Sequence, residues 1–490
     1  MSLQSLIDSP KELLELINEC LKPKEIEKKK MGEVFTPMWF INNAMLSDLK
    51  AYYKEHYNRE LFADETLRWF DPAVGMGNYM IAIYYELMAG LKEKIPNEKD
   101  RKKHILEKQL FMSEYNKKNC FIVKQIFNMN NEHQLNLHEG DSLQLDIKKT
   151  FGVERFDIII GNPPYNEEFK GLNGYAPALY NKFTDYYINK GDLLYYVMPS
   201  RWFSGGRGLD SFRKMMLSRT DIPYIKHFDD ASKIFGNSVD IKGGVSYFLK
   251  DSHYDGPCNY NNVMLNLKDC DILIESKYLP LITKMDTFAK LNSSYRSKGY
   301  FEIPLTDKRL HDAFDAANDV KCYVSQMKGS TKYIKRDTIK AGKFGHWQII
   351  TPSAAHGAYS GFGNLILGRP DEVYSETYIS FTVKSESEAN SLLTYMKCRL
   401  PNMMLSLRKI SQNISNNTCN WIPLPPLDRE WTDAAVYKHF SLSDEDIKLI
   451  TETKIMGYKD TVGHVVVVPS VEQSPMPKKI KPKRFLKIKD

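Results

Sequence analysis

Apolar residues in this 490-residue chain fall into two rhythms. Short runs rich in β-branched and aromatic residues read as buried strands: Leu67 to Phe70, Leu110 to Glu114, Leu135 to Asp141, Asp157 to Ile160, Leu193 to Met198, Tyr224 to Phe228 and Val245 to Leu249. Between them, Met38 to Leu49, Tyr79 to Leu91 and Tyr175 to Asn189 have helical spacing. This pattern predicts an α/β domain over residues 31–255. Ahead of it, Ser9-Pro10-Lys11-Glu12 has the form of a capped helix start, with Leu13, Leu14, Ile17 and Leu21 on one face, giving an N-terminal helical segment over 1–30. From about Asp251 the periodicity loosens, which predicts a mixed α+β region over 256–462, with helix caps at Thr432 and Ser443 near its end. The Pro- and Lys-rich stretch 463–490 reads as a disordered basic tail.

The stretch Asp157-Ile158-Ile159-Ile160-Gly161-Asn162-Pro163-Pro164-Tyr165 organises the α/β half. Three β-branched residues make a strand buried on both faces, and the Pro pair stops it, so Asn162 stands at the C-terminal edge, where open α/β sheets bind ligands. Asn162 offers a side-chain carbonyl oxygen, and Pro163 a peptide oxygen held by proline geometry. Two such acceptors can take both hydrogens of an amino group conjugated to a ring. That turns the nitrogen lone pair out of conjugation, so an electrophilic methyl group can be attacked without a prior general base. Tyr165 would stack on the ring.

Other segments extend the pattern. Asp71-Pro72-Ala73-Val74-Gly75-Met76-Gly77-Asn78 turns from a strand into a helix; its glycines permit close backbone approach, and the helix start suits a carboxylate. Glu114, ending the next strand, is placed to accept ribose hydrogen bonds, although it lies 43 residues beyond Asp71 where about 20 is usual. The charged segment Lys92 to His104 reads as an insertion that accounts for the excess. Thr36-Pro37 reads as a cap leading into the Met38 helix.

Together the Asn-Pro-Pro-Tyr motif, the Asp-Pro-x-x-Gly-x-Gly loop, the strand-end acids and their order resemble the gamma-class S-adenosylmethionine-dependent DNA adenine-N6 methyltransferases of restriction-modification type. The resemblance implies a Rossmann-like methyltransferase domain followed by a mixed α+β target-recognition domain. It implies S-adenosylmethionine contacts at Phe35, Thr36, Asp71, Pro72, Gly75, Gly77, Glu114, Asp141 and Asn162, with Asp141 on the cofactor's adenine amine. Catalysis would rest on Asn162, Pro163, Pro164 and Tyr165, with Phe235, or failing it Phe248, stacking on the other face of a target base flipped out of duplex DNA. The Trp421 to Pro426 and Trp431 to Asp446 segments resemble the closing part of large enzymes of this kind.

Composition changes this picture in three places. The formal net charge is +7, but from Lys478 onward Lys478, Lys479, Lys481, Lys483, Arg484, Lys487 and Lys489 face only Asp490, so the body is near neutral and any nucleic-acid surface must be local. Lys332, Lys335, Arg336, Lys340 and Lys343 interleave with Tyr333, Phe344 and Trp347, a mixture suited to phosphate contact beside base stacking; Arg399, Arg408 and Lys409 are further phosphate candidates. Seven scattered cysteines without a Cys-x-x-Cys pair predict reduced thiols and no metal site, and no apolar run reaches membrane-spanning length, so a soluble cytoplasmic protein is expected.

The partner expected is double-stranded DNA; the roughly 30 residues before Thr36 are too few for a nuclease domain, which leaves a separate cognate restriction endonuclease, or none, as the alternatives. The same amino-group geometry suits a DNA cytosine-N4, RNA or protein-glutamine methyltransferase, and a non-catalytic DNA-specificity subunit is the alternative outside enzymes. Cytosine-C5 chemistry needs a nucleophilic cysteine, and Cys258 lacks supporting motifs.

Overall fold

The structure, a computed structural model, describes residues 35–167, 176–206, 208–236, 241, 243–325, 330–354, 360–409 and 412–458. The helix start at Ser9 and the tail from 463 lie outside the described residues. The chain forms two compact units, Met1–Leu279 and Pro280–Asp490.

The first unit is built on a nine-stranded sheet in the order β3-β2-β1-β4-β5-β7-β6-β8-β9. Its strands are β1 (Trp69–Asp71), β2 (Leu110–Glu114), β3 (Asn136–Glu139), β4 (Phe156–Gly161), β5 (Gly191–Pro199), β6 (Tyr224–Phe228), β7 (Val245–Asp251), β8 (Cys258–Tyr260) and β9 (Val263–Leu265). β3, β2, β1, β4 and β5 run parallel, and β7 is antiparallel to both β5 and β6. The isoleucine run of β4 is buried on both faces, as its composition requires. Ile158 and Ile160 join Trp69, Met112 and Tyr195 on one side, and Ile159 joins Phe70, Phe111 and Tyr196 on the other. The first side packs on α1 (Ser47–Tyr57), α2 (Asn78–Gly90) and α3 (Lys117–Asn128); the second packs on α4 (Tyr180–Tyr187) and α5 (Asp210–Leu217). The sequence order reverses between β1 and β4, so a crevice opens at their C-terminal ends.

Four details depart from the sequence reading. The first unit continues past the boundary expected at 255, because β8 pairs with β6 and β9 with β8. Part of the charged Lys92 to His104 segment is an ordered helix, Glu98–His104, capped by the Asn97 side chain. Thr36 does not cap the following helix: Pro37 is its N-cap, the chain passes through a π-helical turn at Ile41–Leu46, and the Thr36 hydroxyl is engaged elsewhere. Phe248, the alternative stacking residue, is fully buried within β7 opposite Tyr196 and Ile225, so it is a core residue and cannot face a ligand. Among the described residues no helix is long and apolar enough to cross a membrane.

The second unit carries two small sheets, β10-β16-β13-β14 and β12-β11-β15. These comprise β10 (Tyr295–Arg296), β11 (Asp319–Ser325), β12 (Ser330–Lys335), β13 (Trp347–Pro352), β14 (Ile366–Gly368), β15 (Val373–Tyr374) and β16 (Tyr378–Val383). They share a core of Phe301, Cys322, Ile334, Ile350 and Tyr374. Four helices follow: α6 (Glu386–Lys397), α7 (Arg399–Arg408), α8 (Asp433–His439) and α9 (Asp444–Glu452). Thr432 and Ser443 cap α8 and α9 as their positions predict, Ser443 in a reciprocal capping box with Asp446.

β1 and β4 approach so closely that a Cβ at Gly161 would lie 2.6 Å from Asp71 Oδ1. Gly161→Ala is therefore expected to cost about 1–3 kcal/mol through overpacking, read as a lower thermal unfolding midpoint. An unchanged midpoint would show that the two strand ends can separate.

Candidate active site

A cavity of about 800 Å³ lies at the C-terminal edge of the parallel strands in the first unit. It gathers most of the catalytic and cofactor residues singled out from the sequence. Phe35, Thr36, Pro72, Gly75, Glu114 and Asp141 line it, together with Asn162, Pro163 and Pro164 of the motif. Strand pairing accounts for this convergence: β1, β2, β3 and β4 are parallel neighbours, so the residues just past their ends share one rim.

The glycine loop is shaped by local demands. Gly75 has φ +56°, and a Cβ there would meet the Phe35 ring at 3.2 Å, so only glycine lets Phe35 lie across the loop. Gly77, at φ +96°, is the N-cap of α2. The Gly75 N–H donates to Glu114 Oε2 at 2.8 Å, and the Asn116 N–H donates to Glu114 Oε1 at 2.7 Å, which fixes the β2 carboxylate beside the loop. Asp141 accepts from the Leu143 N–H at 2.9 Å and is exposed. Beneath the rim, Ser113 Oγ bonds both Ser142 Oγ, at 2.6 Å, and His138 Nδ1, at 3.0 Å, tying the ends of β2 and β3 together.

Thr36 connects the two sides of the cavity. It is 2% exposed. Its backbone oxygen accepts from Asn78 Nδ2 at 2.9 Å, and its Oγ1 accepts from Asn162 Nδ2 at 3.2 Å and lies in hydrogen-bond distance, 3.3 Å, of the Tyr79 hydroxyl. Past the motif, the chain folds back on itself: the Leu179 N–H donates to the Tyr165 oxygen, and the Glu167 N–H to the Pro177 oxygen.

Some expected contacts fall elsewhere. Asp71 and Gly77 do not line the cavity; Asp71 is buried, holds the Ala73 N–H at 2.9 Å and supports the loop from behind. Tyr165 is only 5% exposed, next to Asn162 rather than along the cavity wall, and burial raises its pKa while the Asn162 hydrogen bond opposes the rise. Phe235 ends a short helix, Ser232–Phe235, half-buried against the core and off the cavity wall. Conversely, sequence reasoning passed over Asn78, Tyr115 and Asn119, which all line the cavity. Asn78 Oδ1 and Asn119 Nδ2 are buried without a hydrogen-bond partner among the described residues, and Tyr115 is 74% exposed. Their adjacency to Gly77 and Glu114 was the available signal.

In the second unit the basic candidates divide by burial. Arg408 is 4% exposed, donates to the Asn417 backbone oxygen at 2.6 Å and to its Oδ1 at 2.7 Å, and lies 4.6 Å from the Trp421 ring; it is a structural residue and not the phosphate contact expected. Arg399 likewise donates to the backbone oxygens of Ile450, Thr451 and Thr453, closing the C-terminus of α9. Lys409 is half-buried, and that burial lowers its pKa. Lys332 pairs with Asp312, and Lys340 and Lys343 pair with Glu302. Lys335 and Arg336 stand exposed at the end of edge strand β12, with the Arg336 guanidinium 4.7 Å from the Phe344 ring. Cys258 is buried in β8, and burial pushes its thiol up to about 12, which makes it a poor nucleophile.

A family model described as Eco57I restriction-modification methylase matches residues 86–235, a span that includes Glu114, Asp141 and the Asn162 motif. An uncharacterized adenine-specific methylase of Mycoplasma pneumoniae is 26% identical, the match covering 48% of this chain and 70% of that protein. Solved structures with similarity include the type IIG restriction endonuclease BpuSI, at 10% identity and TM-score 0.43 over 91% of this chain and 64% of that one. They also include a modification subunit of a putative type I restriction enzyme from Vibrio vulnificus, at 14% identity and TM-score 0.35 over 50% of this chain. The match covers 48% of that subunit, so the chain spans about half its length.

Burial, reinforced by the Glu114 charge and opposed by the Ala73 N–H, pushes the Asp71 carboxyl up to about 8 from 3.8. Between these values the unfolded chain has released this proton and the folded chain has kept it, so stability from this site falls as pH rises from about 4 to about 8. Asp71→Asn is expected to gain thermal stability relative to the wild type on going from pH 5 to pH 8. A pH-independent difference between the two melting curves would overturn this account.

Proposed function

We propose that the chain is a gamma-class S-adenosylmethionine-dependent DNA methyltransferase, acting on adenine N6 in a restriction-modification or host-defence setting. The carrying observation is the convergence of the Gly75 loop, Glu114, Asp141 and Asn162-Pro163 on one cavity. The cavity suits the cofactor. Glycines allow close approach, two carboxylates can accept from hydroxyl and amino groups, and the buried Asn78 Oδ1 and Asn119 Nδ2 require hydrogen-bond partners from a ligand. When bound, S-adenosylmethionine supplies a methyl group on a sulfonium.

The protein's part is positioning. Asn162 Oδ1 and the Pro163 peptide oxygen accept the two amino hydrogens of the target base, which aligns the nitrogen lone pair for in-line attack. The rate gain comes chiefly from proximity and orientation. Because N6 is unreachable in a stacked pair, the adenine leaves the helix. Glu114 holds the cofactor ribose and Asp141 its adenine amine. The adenine-specific name of the Mycoplasma pneumoniae relative favours adenine over cytosine N4, which the same geometry would accept.

Double-stranded DNA is the proposed partner, with Lys335 and Arg336 as phosphate contacts and Phe344 bracing the guanidinium.

Asn162→Ala is expected to abolish N6-methyladenine formation on unmethylated plasmid while cofactor binding persists, as read by nucleoside mass spectrometry beside calorimetry. Retained turnover would sink the mechanism. Replacing Lys335 and Arg336 by alanine should weaken DNA binding and reduce its salt slope by about two. Unchanged affinity would return this edge of the second unit to a solvated surface.

A further inference from the structure

An amide has two ends that differ in chemistry but hardly in shape. If Asn162 is to accept an amino hydrogen, its carbonyl end must face the transferring group, and packing alone gives that sense little preference over the flipped one. Thr36 supplies a chemical preference. Its Oγ1 lies 3.2 Å from Asn162 Nδ2 and 3.3 Å from the Tyr79 hydroxyl, whose single proton has Met45 Sδ as acceptor at 3.2 Å. With the Thr36 proton on the Tyr79 oxygen, Oγ1 is left to accept from Asn162 Nδ2, while the Thr36 backbone oxygen receives Asn78 Nδ2 at 2.9 Å. Thr36, Asn78 and Tyr79 are buried and Asn162 is half-buried, so the Thr36 end of each bond is shielded from water. One residue thereby takes the donor ends of two amides, from the start of α2 and from just past the end of β4, and both amides line the same cavity.

We infer that Thr36 is a positioning residue for Asn162, its hydroxyl holding the amide with Nδ2 turned inward and the carbonyl presented for transfer. This rests on the methyltransferase reading of the cavity and adds to the cofactor contact expected of Thr36. The segment carrying Phe35 across the glycine loop thus also sets the acceptor geometry, so cofactor site and transfer site are assembled by the same stretch of chain.

Two nucleosides separate the effects. Sinefungin carries a primary amine where S-adenosylmethionine has its sulfonium methyl, and so offers donors to the Asn162 oxygen. S-adenosylhomocysteine offers none there. Titration calorimetry on the full chain is expected to show tighter binding of sinefungin, with Asn162→Ala giving the full size of that preference. Thr36→Val should cut the preference, read as the ratio of the two affinities, about five- to tenfold, the scale of one lost hydrogen bond, over and above any loss common to both ligands, and Thr36→Ser should restore it. A Val variant that keeps the wild-type preference overturns the positioning role, as does one that loses both ligands equally. If the wild type binds neither nucleoside, the cofactor reading of the cavity fails, and this inference with it.

Discussion

The structure of the first unit depends on how closely β4 can approach β1. The buried carboxyl of Asp71 ends β1, and Gly161 ends β4 directly against it, with no room for a Cβ. That contact brings Asn162 beside the glycine loop. Since β1 and β4 flank the point where strand order reverses, the approach also sets the width of the crevice between them. Keeping a carboxyl dry at this junction favours its protonated form, which explains why a side chain read as a ligand contact serves the backbone of the loop instead.

Around this junction the polar groups are cross-linked and do not act singly. Glu114 grips the Gly75 N–H, Ser113 and Ser142 tie β2 to β3, and Thr36 bridges Asn78 to Asn162. Each link joins residues distant in sequence, so the rim is stiff only when the whole unit is folded. A reaction that gains from orientation needs such stiffness in its first contacts. The proline pair after Asn162 contributes in the same direction by restricting the backbone where two acceptors are needed.

The second unit shows how poorly charge alone predicts surface. Arg399 and Arg408 sit in a helix whose sequence offers no hint that their guanidiniums turn inward, yet one closes a helix C-terminus and the other clamps Asn417 against Trp421. Arginine's five donors suit it to collecting backbone carbonyls, so a buried arginine and a phosphate-binding one look alike in sequence. Lys335 and Arg336 differ because they end an edge strand, where side chains extend into solvent.

The sequence by itself determined the order of the strands through Asp251, three of the accompanying helices, the glycine loop, the strand-end acids and the Asn-Pro-Pro motif, because each is a local pattern of hydrophobic period, turn residue or proline. It also determined the caps at Thr432 and Ser443, which act within a single turn. Tertiary structure alone decided the rest. It extended the sheet with β8 and β9, whose three-residue strands are too short to carry a period. It buried Phe248 and Tyr165, moved Asp71 behind the loop and brought Asn78 and Asn119 to the cavity. It gave Thr36 a partner 126 residues away. Burial and hydrogen-bond partnership between distant segments leave no periodic trace in a chain, and they separate residues that bind from residues that hold the binding residues in place.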